Sequence, residues 1–203
     1  MSLSAIVPVK PFAQSKSRLA SVLSEEERAG LSRAFLEHTL SVLREVSAVS
    51  ETLVISRDPA ALAVARAFGA RAILETEPSD LNAALTHATD IARQGGARAL
   101  LILPVDLPCL TEAEIQQLMN DAADSALTIA PDRRDEGTNA LFIRPPGLIP
   151  YAFGADSFHQ HCALAHRAGV QPRIVRLPGL ALDVDVPDDL ELFSQANSPI
   201  SIF

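Results

Sequence analysis

An α/β fold on a mostly parallel, doubly wound sheet is what this 203-residue sequence predicts. Three observations carry the expectation. Short apolar runs bounded by breakers alternate with longer amphipathic stretches through residue 123. Those stretches open on helix-start signals. Beyond that point the chain turns strand-rich, which predicts a small antiparallel excursion beside the main sheet.

The elements follow in order. "LSAIVPV" (3–9), "ETLVIS" (51–56), "ARAIL" (70–74) and "ARALLIL" (97–103) read as buried strands, being β-branched or Leu/Ala-rich. Ser24-Glu25-Glu26-Glu27 is a capping box, and Leu31, Phe35, Leu36, Leu40 and Leu43 then fall on one helical face. Ser79 or Asp80 suits the cap of a helix over 81–94, which Gly95-Gly96 ends. Thr111-Glu112-Ala113-Glu114 is a second capping box, opening a helix to about Ala123. Further strands are expected at 126–130, 139–144, 173–177 and 181–185. Pro187 fits the first turn of a closing helix, with Asp188 and Asp189 at its positive end. With no repeat, low-complexity tract or linker, a single domain over 1–203 is expected.

Composition narrows the function classes. Apolar residues make up 48% and charged residues 21%, a globular balance. The net charge of −8 lacks the basic footprint of a nucleic-acid binder, and Trp is absent from a chain already poor in stacking side chains. Cys109 and Cys162 form neither a disulfide framework nor a CxxC site. No signal peptide or 18-residue apolar run is visible, so a cytoplasmic protein without membrane partners is expected.

Open α/β sheets bind ligands beyond the carboxyl ends of their strands. Three segments should end there: "VPVKPFAQSKSRL" (7–19), "LPVDLPCLT" (103–111) and "LDVDVPDD" (182–189). In the first, Lys10, Lys16 and Arg18 lie within nine residues beside Ser15 and Ser17. That pattern suits a polyphosphate, although a solvated basic loop would look the same. Neither GxGxxG nor a P-loop motif is present. Asp106 follows an apolar run between Pro104 and Pro108, where a turn aspartate is the plainer alternative.

Asp183 and Asp185 are two residues apart, so on a strand both carboxylates face the same side. They repel unless a cation or hydrogen-bond donors lie between them. Mg²⁺ accepts one or two carboxylates together with waters and phosphate oxygens, and Asp106 would join from the other strand end. An exposed strand face is the alternative. Gly137, Thr138 and Asn139, and likewise Gly154 and Ser157 before a helix, offer N–H and hydroxyl groups to an anion, though turns use the same residues. On a helix His159, Cys162 and His166 share a face and His161 sits among them, but no motif completes a zinc site, and helix packing explains the group better.

Taken together these pieces resemble the guanylyltransferases of deazaflavin coenzyme F-420 biosynthesis, the phospholactate or phosphoenolpyruvate guanylyltransferases of CofC/FbiD type. The opening loop "VPVKPFAQSKSRL" is followed in family order by "LNAAL" (81–85), "PVDLP" (104–108), "GTNALF" (137–142), "FGADSF" (153–158) and "DVDVPDDL" (183–190). The resemblance implies a nucleotidyltransferase fold of the GT-A/MobA-like type and a cytoplasmic enzyme, with room for a homodimer. GTP would be the donor, and a small phosphorylated three-carbon acid the acceptor: phosphoenolpyruvate, 2-phospholactate or 3-phosphoglycerate. It assigns Asp106, Asp183 and Asp185 to Mg²⁺, and Thr138, Gly154 and Ser157 to the acceptor. Lys10 and Lys16, with Arg18 adding charge, would hold phosphates, and Asn82 would lie near the nucleoside. Where family members often carry Gly before "LN", this chain has Asp80. Two rivals remain at this level: a glycosyltransferase using "DVD" as its metal motif, and a GTP-binding module without turnover.

Overall fold

The computed structural model describes residues 2–75, 80–121, 126–196 and 200. Its central strand pair arises from two largely buried, mostly apolar runs. β1 (Leu3–Val9) and β4 (Ala99–Ile102) run parallel, with Leu3 opposite Ala99 and Ile6 opposite Ile102. Such runs are buried on both faces, as a helix-covered parallel sheet requires. Parallel β2 (Val49–Ser56) and β3 (Arg71–Leu74) extend the sheet on the other side of β1.

Beyond β4 come β6 (Thr138–Ile143), β5 (Leu127–Pro131) and β7 (Arg173–Ile174), giving a seven-stranded order β3-β2-β1-β4-β6-β5-β7. The antiparallel excursion expected in the second half is present as β6. It is inserted within the sheet, antiparallel to both β4 and β5, while β5 and β7 are parallel.

The helices cover both faces. α1 (Glu25–Glu45), α2 (Pro59–Ala67) and α4 (Glu112–Asp121) close one, where Leu36, Leu62 and Ile115 meet the odd residues of β1. α3 (Leu81–Gln94) and α5 (Ser157–Arg167) close the other, where Leu85 and Phe158 meet Ile6 and Ile55. Ser24 closes the expected capping box with Glu27, and Thr111 and Glu114 bond as expected. Asp80 caps α3 by accepting the Ala83 N–H at 2.9 Å. Ser79 and the expected helix end near Ala123 lie outside the described residues.

Two expectations need correction. Residues 181–185 are not a strand: Pro178–Ala181 form a short helix, α6, and the following residues are irregular before α7 (Pro187–Gln195). The alternation is real, since Val184 is buried between two half-buried aspartates, but the stretch joins no ladder. Val184 instead donates to the Asp106 carbonyl at 3.1 Å. β7 is also two residues rather than five.

The topology opens a crevice at a defined place. β1 leads to β2 and β3 on one side and is flanked by β4 on the other, a topological switch point. Pairing between β1 and β4 stops at Ile6 and Ile102, with Leu103 donating a last bond to the Ile6 carbonyl at 3.0 Å. Pro8, lacking an N–H, lies just past that point at no cost to the β4 ladder.

Candidate active site

The loop after β1 enters the crevice as two short 3₁₀ turns, Phe12–Gln14 and Ser17–Leu19, separated by Lys16 in a left-handed conformation. Leu19 and Leu23 anchor the far end of the loop in a small apolar cluster with Phe35 and Phe193, whose rings meet edge to face at 5.8 Å. That anchor aims Lys16 inward. Its side chain is only 7% exposed, and its ammonium lies 2.7 Å from Asp106 Oδ2 and 2.9 Å from Asp185 Oδ1. Burial alone would lower the lysine pKa, but the two carboxylates outweigh it and hold the ammonium protonated.

Three segments separated by 90 and 169 residues thus meet at one point. The surrounding cavity, about 490 Å³, is lined by Lys10, Lys16, Leu81, Asp106, Phe153 and Asp185 among others. Arg18 stands further out: its side chain is 72% exposed and 4.0 Å from Asp185 Oδ2.

Asp183 lies beside this pair but is held differently. Its Oδ1 accepts from Asn139 Nδ2 at 3.3 Å, and Asn139 also donates to the Leu180 carbonyl. Burial, followed by the charge of Asp106, pushes the Asp183 carboxyl up to about 6. Among the described residues no three His, Cys, Asp or Glu side chains form a ready metal cage. What converges is the pair Asp106 and Asp185, with Lys16 supplying the cation between them. Two hard oxygen donors, leaving the remaining positions to water and phosphate, fit Mg²⁺.

Asp189 stabilises this arrangement from below. Fully buried, it accepts the N–H groups of Asp185 and Val186, both at 3.0 Å, and ion-pairs with Arg133 at 2.6 Å and Arg134 at 2.8 Å. Burial alone would raise its pKa; the arginines and backbone donors instead hold it down to about 2.

The other expected residues are not among those lining this cavity, which reaches their neighbourhood at Phe153. Thr138 starts β6 and is buried, with its hydroxyl 2.9 Å from His161 Nδ1. Gly154 has φ +136, a conformation that favours glycine, and Ser157 is the first residue of α5. Asn82 does not present a free amide: it donates to the Phe153 carbonyl at 3.0 Å and accepts the Phe153 N–H at 2.8 Å. It therefore holds the Phe153 backbone at the cavity edge. Sequence reasoning missed the parts played by Asn139, Phe153 and His161. Asn139 and Phe153 lie inside motifs already quoted, whereas nothing local marks His161 as a partner of Thr138.

A switch-point crevice with convergent Lys and Asp side chains defines a protein of the nucleotidyltransferase class. A nucleotidyl transferase structure from Methanothermobacter shares the fold, with a TM-score of 0.70 over 96% of each chain at 14% identity. The sequence model described as "Guanylyl transferase CofC like" matches residues 3–198. The chain is 44% identical to a phosphoenolpyruvate guanylyltransferase of Rubrobacter xylanophilus, over 94% of this chain and 92% of that one. It is 30% identical to a 3-phospho-D-glycerate guanylyltransferase of Colwellia psychrerythraea, over 99% and 95%. The chain belongs to the CofC-like guanylyl transferase family.

Proposed function

We propose that this protein transfers GMP from GTP to the phosphate of phosphoenolpyruvate, releasing pyrophosphate, as a step in coenzyme F-420 biosynthesis. The convergence of Lys16, Asp106 and Asp185 on one point of the crevice carries this reading. The 44% identical phosphoenolpyruvate guanylyltransferase favours that acceptor over the 3-phosphoglycerate of the more distant relative.

In this reading an oxygen of the acceptor phosphate forms a new bond to the α-phosphorus of GTP. The α–β phosphoanhydride bond breaks, and pyrophosphate leaves with the electron pair. A phosphomonoester has a second pKa near about 6, so the nucleophile is already largely ionised at neutral pH and needs no base. The remaining difficulty is the meeting of two polyanions, for which fixed charge and positioning matter most.

Lys16 is suited to move from the carboxylates onto a phosphate oxygen, and Lys10, exposed on the cavity wall, to hold the triphosphate. Asp106 and Asp185, with Asp183 alongside, would hold Mg²⁺, which supplies neutralisation of the reacting phosphates when bound. Thr138, Ser157 and the backbone at Gly154 would receive the acceptor's anionic groups.

The test is one incubation of the protein with GTP and MgCl₂ against phosphoenolpyruvate, 2-phospholactate and 3-phosphoglycerate separately. The expected result is the mass of phosphoenolpyruvate joined to GMP through a diphosphate bridge, with stoichiometric pyrophosphate. Turnover with another of the acids instead would replace the acceptor. GTP binding without product across the panel would leave a non-catalytic binder.

A further inference from the structure

His161 is a fully buried histidine that the reaction does not use directly. Both ring nitrogens are engaged. Nε2 receives the backbone N–H of Ala152 at 3.0 Å, and Nδ1 lies 2.9 Å from Thr138 Oγ1. A nitrogen that accepts a hydrogen bond carries no proton, so the proton of the neutral ring resides on Nδ1. That N–H donates to the Thr138 oxygen, and the hydroxyl hydrogen of Thr138 must then point away from the ring. Burial supports the neutral form by pushing the His161 pKa down to about 4.

The ring also backs a residue of the cavity edge. It packs edge to face on Phe153 at 4.8 Å, and Phe153 lines the cavity. The segment carrying Phe153 is fixed by neighbouring side chains: Thr89 bonds the Tyr151 hydroxyl at 2.6 Å and Asn82 clamps the Phe153 backbone. With Ala152 held as well, the residues leading to Gly154 have little freedom to turn.

We infer that His161 is a positioning residue for the acceptor: one ring sets the direction of the Thr138 hydroxyl and, through Ala152, the approach of the Gly154 backbone. This rests on the acceptor assignment above. Its consequence is chemical selectivity. With the His161 N–H donating to its oxygen, the Thr138 hydroxyl hydrogen is left to donate elsewhere, which favours an anionic oxygen as its partner, while only one oxygen lone pair remains for a donating group.

Two measurements test the inference. Long-range ¹H–¹⁵N correlation on histidine-labelled protein at pH 7 should show a buried ring protonated on Nδ1 with a bare Nε2. An Nε2–H tautomer or an imidazolium would overturn the inference, whatever the enzyme does.

Kinetics then ask whether the ring acts through Thr138. His161→Gln should raise the phosphoenolpyruvate KM by about tenfold while the GTP KM stays within about twofold. His161→Asn, whose amide can still donate toward Thr138, should recover part of that loss. A Thr138→Val/His161→Gln double variant should be no worse than Thr138→Val alone. Additive losses, or equal rises in both KM values, would reduce His161 to a packing residue. Wild-type protein inert toward all three acids would sink the acceptor assignment, while the tautomer would still decide the hydroxyl's direction.

Discussion

The charged crevice and the hydrogen-bonded junction of β6 and α5 beside it are built on opposite electrostatic plans. On the β1/β4 side, Lys16, Asp106 and Asp185 compensate one another's charges with short contacts. On the β6/α5 side, Thr138, His161 and the Ala152 backbone form a chain of neutral hydrogen bonds. The difference teaches how each would meet a ligand. Charges already paired must exchange partners when phosphates arrive, so the crevice works by substitution. The neutral junction keeps its partners, so in the acceptor role proposed for it it would work by preorganisation.

The largest expected effect breaks the charged crevice. Asp106→Asn or Asp185→Asn should lower turnover by about 10³-fold or more while circular dichroism keeps its native form. Near-normal pyrophosphate release in both variants would remove the pair from the mechanism. EDTA should reproduce the loss in the wild-type protein, with MgCl₂ restoring it.

The next effect probes the neutral junction through stability. His161 is kept uncharged by burial, with its pKa at about 4 against an ordinary 6.5. The unfolded chain therefore binds the proton first. The contribution is complete above about pH 6.5 and is lost as pH falls toward 4, by roughly 3 kcal/mol in all. Thermal melts of the wild type and His161→Gln across pH 4–7 should show a steeper decline for the wild type. Asp189, held at about 2, should add a second decline as pH falls from its ordinary 3.8 toward 2.

Smaller effects sharpen the contrast. Ser157→Ala should raise the acceptor KM by about tenfold and move the GTP KM little. Equal changes would place Ser157 outside the acceptor site. Arg18→Ala should change kcat/KM by less than about threefold, because its guanidinium is solvated and 4.0 Å from Asp185. A loss as large as that of Asp106→Asn would bring it into the machinery.

Much of this was legible in the chain itself. Buried parallel strands announce themselves as apolar runs, and the capping boxes at Ser24 and Thr111 mark helix starts through local chemistry. Reading the loops after β1 and β4 as strand ends put Lys16 and Asp106 together, whereas the Asp185 segment joins them from irregular chain rather than from a strand end. Other features were not legible for physical reasons. The alternation around Asp183 and Asp185 mimics a strand because it records which side chains are buried, not whether a ladder partner exists. α2 went unread although Asp58 and Pro59 are its cap and first residue. The pairings of His161 with Thr138 and Asn82 with Phe153 span 23 and 71 residues, and no local periodicity encodes them.

Asp189 has a consequence for anyone exchanging parts of this enzyme. It grips the backbone that carries Asp185 and, through Arg133 and Arg134, the turn that leads to Thr138. The segment of Asp185 and the turn before β6 hence share one rivet. A loop transplanted from a relative to alter acceptor choice would have to bring its own guanidinium pair, or it would slacken the Asp185 segment as well.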